Sequence, residues 1–224
     1  MFLTYISDFL GFKSTLKETS PRLPLPKSFE GGIQFNNVNF HYPDRKMNVL
    51  SSIDLTLKKG EICAIVGENG SGKSTLIKLL CRLYDPASGK ILLNQQDLSQ
   101  YPLHDYQSQL SVTFQDFAQY HFTVQDNITL SHDYIENEER MNQVAKASSA
   151  DIFIKEFPHG YKQRLGREFR RGTELSLGQW QKIAISRAFY REAEIIVMDK
   201  PTNAIDPLAE HQIFMNSRKS LTTK

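Results

Sequence analysis

The spacing of apolar positions changes several times along the chain, and each change marks an element. Phe2, Tyr5, Ile6, Phe9 and Leu10 recur near helical spacing and predict a short amphipathic N-terminal helix. Residues 13–30, KSTLKETSPRLPLPKSFE, carry Pro21, Pro24 and Pro26, which favour extended backbone and forbid a continued helix, so the stretch reads as a connector. Ile33, Phe35, Val38 and Phe40 predict one or two strands with a broken alternation, and Ile53, Leu55 and Leu57 predict another. GEICAIVG is a short continuous apolar run and predicts a buried strand. STLIKLLCRLY predicts a helix, and SGKILLNQQDL a hairpin. From about Tyr101 to Gly172 polar and helical segments dominate, among them NEERMNQVAKASSADIFIKEF. SLGQWQKIAISRAFYR then predicts a helix, EIIVMD a second buried strand, and PLAEHQIFMNSRKSL a last helix. Strands alternating with helices make this an α/β chain with a helical insertion between the halves of its core.

Composition narrows the class. A length of 224 residues suits one large domain, or a domain with a small subdomain. With 40% hydrophobic and 23% charged residues the chain is neither wholly disordered, collagen-like nor a coiled coil. Lys and Arg number 27 against 25 Asp and Glu, and the net charge of +2 makes no case for a nucleic-acid partner. No run reaches the roughly 18 apolar residues of a membrane span. The N-terminus carries Asp8 and no early basic residue, so it does not read as a signal peptide. Cys63 and Cys81 are too few for a disulfide framework and are expected as reduced, small core residues.

The strongest chemical signal is GENGSGKST at residues 67–75, which fits G-x-x-x-x-G-K-[ST] through Gly67, Gly72, Lys73 and Ser74. A predicted strand precedes it and a predicted helix comes after it, as a phosphate loop requires. Glycines let backbone N–H groups turn inward around a phosphate, and the helix start adds positive potential. In such a loop Lys73 reaches the β- and γ-phosphates and Ser74 ligates Mg²⁺, with Asn69, Gly70, Ser71 and Thr75 completing the cradle. EIIVMD supplies the companion, a buried strand ending in Asp199, whose carboxylate suits the Mg²⁺ shell.

With these motifs and the segments between them, the chain from about Gly32 onward resembles the nucleotide-binding domain of ATP-binding cassette transporters. FQD at 114–116 resembles the family's glutamine loop, with Gln115 facing Mg²⁺ and water. LSLGQ at 175–179 resembles the signature LSGGQ, which implies phosphate contacts from Ser176, Gly178 and Gln179. NAID at 203–206 resembles the loop ending in the acidic Asp206, and FHYP at 40–43 the adenine-stacking segment, with Tyr42 as the aromatic. The resemblance implies a P-loop NTPase cassette core, an inserted helical subdomain at about 101–190 and an N-terminal antiparallel β part. Residues 1–30 would be the helix and connector from a membrane domain, and 31–224 the nucleotide-binding domain.

The style of SSADIFIKEFPHGYKQRLG and GTELSLGQWQKIAISRAFYR is similar to exporters of peptides and lantibiotics. This implies ATP and Mg²⁺ as ligands, and a second nucleotide-binding domain in a homo- or heterodimer. It also implies the transmembrane domain of an exporter, a place at the cytoplasmic face of the membrane, and no nucleic acid. In such dimers each ATP meets the phosphate loop of one subunit and the signature of the other. The aromatics Phe114, Phe117, Tyr120 and Phe122 fall where the family receives the membrane domain's coupling helix; ordinary core residues are the alternative.

Three departures qualify the resemblance. Where the family's catalytic Glu comes directly after the Mg²⁺ aspartate, this chain has Lys200. A charged lysine cannot accept a proton from water, and losing a general base costs about 10²- to 10⁴-fold in rate. Lys200 then either pairs with the γ-phosphate or is solvated and inert. Leu177 replaces the signature's middle glycine, with a penalty of roughly 1–2 kcal/mol if its backbone is left-handed. None of the six histidines occupies the family's switch position, so the chain reads as C-terminally truncated, without that strand and the rest of the domain. His211 in the last predicted helix reads as a surface residue. The function implied is ATP binding and hydrolysis powering export. The alternatives are a hydrolysis-deficient ATP-binding regulatory subunit, a non-functional gene fragment, or a soluble cassette ATPase acting on nucleic acid.

Overall fold

The computed structural model describes residues 11, 16, 19, 22–130, 137–168 and 172–199. The predicted N-terminal helix, the last predicted helix with His211, the segment NAID with Asp206, and Lys200 lie outside the described residues. The chain divides into two compact units, residues 1–107 and 108–224.

In the first unit, β1 (Ile33–Phe40), β2 (Leu50–Leu57), β3 (Ser88–Leu93) and β4 (Gln96–Asp97) form an antiparallel sheet in the order β2-β1-β3-β4. Ile33, Phe35, Val38 and Phe40 all turn to the core. Their broken alternation has a cause: the register shifts between Phe35 and Val38, where Asn37 takes a φ of 47°. An irregularity of this kind re-aims the strand so that both halves keep their apolar residues on one face. β3 and β4 form the expected hairpin. Helix α1 (Lys73–Leu80) buries Leu76, Ile77, Leu79 and Leu80, and α2 (Leu103–Ser108) buries Tyr106. The Tyr106 hydroxyl donates to the Leu80 carbonyl at 2.7 Å, and its burial pushes the phenol far above its usual range. The proline-rich stretch is extended over 22–26, and Leu23 donates its N–H to the Gln100 carbonyl at 2.8 Å.

One expected element is absent. Residues 61–66, read as a buried strand, are all exposed, and no described strand pairs with them. Ile62 is 52% exposed and Val66 91%. A buried parallel strand needs neighbours to satisfy its N–H and C=O groups, and an apolar run alone does not supply them. Cys63, expected in the core, is exposed for the same reason. Cys81 is buried as expected, in the turn that ends α1.

In the second unit, β5 (Leu110–Thr113) and β6 (Ile195–Met198) pair in parallel, with Leu110 opposite Ile195 and Thr113 opposite Met198. β5 is thus a strand inside the stretch read as mainly helical. α6 (Leu177–Tyr190) packs on β5, α3 (Val124–Thr129) and α4 (Glu138–Ala147) pack on α6, and α5 (Asp151–Ile154) packs on α4. Val124, Ile128, Val144, Ile154, Trp180 and Ile183 belong to the core of this unit. The Ser111 hydroxyl donates to the Ala188 carbonyl at 2.8 Å and ties β5 to α6.

Candidate nucleotide site and its relatives

The predicted phosphate loop is shaped by its glycines. Gly72 is the N-cap of α1, in the left-handed region at φ 93°. A Cβ there would lie 2.7 Å from Leu50 Cδ2 and 3.1 Å from the Val49 carbonyl, so strain and crowding both demand glycine. Gly72 offers no side-chain cap, and the first turn of α1 holds no acidic residue. The N–H groups at this helix start therefore meet no carboxylate or hydroxyl of the cap, the arrangement an anion needs.

Lys73 turns back into the loop. Its Nζ donates to the Gly67 carbonyl at 2.7 Å and the Glu68 carbonyl at 2.6 Å. These bonds hold the loop closed on the ammonium group that a phosphate would engage. Ser74 is exposed and Thr75 buried. The Tyr42 and Thr75 hydroxyls lie 3.1 Å apart. Tyr42 is half-buried between Phe40 and Tyr84, whose rings meet it edge to face with centroids 5.1 and 5.4 Å away, and Lys78 Nζ stands 5.6 Å from its ring centre. The sequence-predicted aromatic is thereby fastened to the last residue of the predicted loop.

In the second unit the parallel pair brings two more predicted residues to one edge. The backbone N–H of Asp199 donates to the Thr113 carbonyl at 2.9 Å and extends the ladder by one step beyond β6. Gln115 lies two residues past β5 and is exposed. Both leave the C-terminal ends of neighbouring parallel strands, the edge at which sheets of this type bind ligands. Among the described residues no cluster of three or more His, Cys, Asp or Glu could hold a metal. A Mg²⁺ held by one or two oxygen side chains plus phosphate needs no such cluster.

The signature lies at the start of α6. Ser176 is its N-cap: the Ser176 hydroxyl accepts from the Gln179 N–H at 3.3 Å, and the Gln179 side chain accepts from the Ser176 N–H at 2.9 Å. This reciprocal capping box uses one lone pair of the Ser176 hydroxyl, whose proton is not needed for it. Leu177 is the first helical residue and is not among the positive-φ residues, so no left-handed penalty arises there. Its side chain is 59% exposed. Sequence reasoning passed over Arg187 and Asn127, which the structure ties together through two hydrogen bonds.

Residues 50–203 match the sequence profile of the family described as ABC transporter. The chain is 36% identical over 215 residues to the subtilin transport ATP-binding protein SpaT of Bacillus subtilis, covering 96% of this chain and 35% of that protein. It is also 36% identical over 215 residues to the nisin transport ATP-binding protein NisT of Lactococcus lactis subsp. lactis, covering 96% of this chain and 36% of that one. A solved structure of a bacterial Atm1-family ABC exporter with ATP bound superposes with a TM-score of 0.86 at 28% identity, over 98% of this chain and 38% of the other. The chain belongs to the ABC transporter family and has the α/β cassette fold of that family. It spans a minor part of the length of these relatives, 35% to 38%.

Proposed function

We propose that the chain binds MgATP at residues 67–75 and serves as the nucleotide-binding part of an exporter, paired with a second nucleotide-binding domain and with a transmembrane domain at the cytoplasmic face of a membrane. The observation that carries this reading is the loop itself: a left-handed glycine N-cap, uncapped N–H groups at the start of α1, and Lys73 beside them. Lys73 exchanges its carbonyl partners for phosphate oxygens, a charge-assisted contact worth about 1.5–3 kcal/mol. Ser74 offers its hydroxyl as a Mg²⁺ ligand. Asp199 and Gln115 are the other groups the family resemblance assigns to Mg²⁺ and to the attacking water. Mg²⁺, when bound, neutralises charge on the phosphate oxygens. Tyr42 supports the purine, and the start of α6, with Ser176, Gly178 and Gln179, engages the nucleotide held by the second domain. Two of the relatives are named as subtilin and nisin transport ATP-binding proteins, which supports export as the process.

Lys200 supports a second reading, in which this chain binds ATP but hydrolyses it slowly. The test is binding and phosphate release by the chain assembled with its transmembrane domain. Lys73→Ala abolishing a calorimetric MgATP signal is the expected result, and unchanged affinity would sink the site. Lys200→Glu is expected to raise phosphate release about 10²-fold or more. Brisk release with Lys200 in place would remove the second reading and leave the first.

A further inference from the structure

α6, the helix that starts just after Ser176, ends in a second set of contacts that the nucleotide reading leaves unused. Arg187, in its last turn, reaches the segment beyond Gln115. Its Nε donates to the Asn127 carbonyl at 2.9 Å, and Nη2 to Asn127 Oδ1 at 3.0 Å. Nη1 donates to the Ala118 carbonyl at 3.2 Å. The guanidinium carbon lies 4.8 Å from the centre of the Tyr120 ring, which itself stacks on Phe122 at 5.9 Å with planes 6° apart. Asn127 is fully buried and closes the other side: its Nδ2 donates to the Tyr120 carbonyl at 2.8 Å and to the Thr123 carbonyl at 2.9 Å. Two side chains thus bind the backbone carbonyls of Ala118, Tyr120, Thr123 and Asn127, all outside any strand ladder. Further along, Leu165 donates its N–H to the Phe122 carbonyl at 2.9 Å, so the segment is also tied to the chain leading toward the signature.

A planar guanidinium that spends its fork on one residue and a third N–H on another holds both at fixed separation, which a single ammonium cannot do. Burial lowers the affinity of Arg187 for its proton, but the stacked Tyr120 opposes that effect. We propose that Arg187, with Asn127, makes the segment 118–127 a rigid extension of α6, so that a change at the Ser176 end of the helix displaces Tyr120 and Phe122 together with it. Arg187 is a positioning residue, since it acts through the backbone of 118–127. The inference rests on the reading that the start of α6 engages nucleotide.

Trp180, the one tryptophan of the chain, sits in the first turns of α6 and reports that end by its own fluorescence. Hydrogen exchange of the peptide spanning 117–123 reports the other. In the assembled protein MgATP is expected to change Trp180 emission and to slow exchange at 117–123. Arg187→Gln is expected to keep the Trp180 response and lose the response at 117–123. Its ligand-free exchange there should rise about tenfold or more, as expected for the loss of hydrogen bonds to a charged group. Arg187→Lys, which retains the charge and one donor at a time, should restore the 117–123 response only in part, and it carries the same test should Arg187→Gln not fold. Equal 117–123 responses in wild type and both variants, with Trp180 responding, would overturn the link and leave the nucleotide reading intact. No Trp180 response in wild type, despite Lys73-dependent binding, would overturn the signature reading and this proposal with it.

Discussion

The hydroxyl of Tyr42 lies 3.1 Å from that of Thr75, so the aromatic predicted to support adenine is anchored to the end of the phosphate loop. The hydrogen bond fixes the ring's position, and on the proposed reading the ring's face would do the stacking. Tyr42→Phe is therefore expected to change MgATP affinity by less than about threefold, the lower end of a neutral hydrogen bond. Tyr42→Ala should weaken it by about tenfold, since base stacking on an aromatic is worth about 1–3 kcal/mol. Isothermal titration of the two variants checks the difference, and equal losses would show that the hydroxyl matters more than the ring.

Gly72→Ala should damage fold and site together. The left-handed φ of 93° and the 2.7 Å approach to Leu50 Cδ2 leave no room for a methyl group. A loss of roughly 1–3 kcal/mol in stability is expected from the backbone alone. Gly70→Ala is the informative control: its φ of 83° is also left-handed, but open space surrounds the position, so the loss should be smaller. Thermal melts of both variants measure the contribution of crowding.

At the signature, Ser176→Ala removes a cap whose partner N–H then lacks an acceptor, at a cost of about 1 kcal/mol. Leu177→Gly loses little buried surface and relieves no backbone strain, since Leu177 is exposed and helical. It should not stabilise the protein; glycine's helix penalty predicts a small loss. Any gain in nucleotide-driven pairing with a second domain would then come from closer approach to the helix start. Melting curves alongside sedimentation with MgATP separate these effects.

The two cysteines should behave oppositely. Cys63 is exposed and is expected to react readily with a thiol reagent at neutral pH. Burial pushes the Cys81 thiol from 9.0 up to about 11, so it should react only on unfolding. Because the folded state favours the neutral thiol, its contribution to stability is complete below pH 9 and is lost as pH rises toward about 11. Cys81→Ala should flatten the fall in melting temperature over that window. An unchanged fall would assign it to other groups.

Residues 61–66 present exposed Ile62, Ile65 and Val66 with no described strand beside them. Such a run is prone to pair with another chain. Ile65→Lys is expected to alter stability by no more than about 0.5 kcal/mol, as at other surface positions, and to lower concentration-dependent light scattering. Scattering that persists unchanged would place the association elsewhere.

The helix that starts at Lys73, the helix α6 and the apolar face of β1 were legible in the sequence because each depends on residues within a few positions of one another. Helical periodicity and alternation along a strand are local chain properties. The broken alternation was visible in β1 as well, but the irregularity behind it came only with the pairing to β2. Tertiary structure decided the rest. The pairing of β1 with β3 and the parallel match of Thr113 with Met198, which takes Gln115 and Asp199 to one edge, depend on partners tens of residues apart. The Arg187 contacts with Ala118 and Asn127 cross 69 and 60 residues, and no local pattern announces them. The apolar run at 61–66 shows the reason most plainly: apolarity establishes that a segment gains by leaving water, but only a neighbouring strand with free N–H and C=O groups determines whether it can.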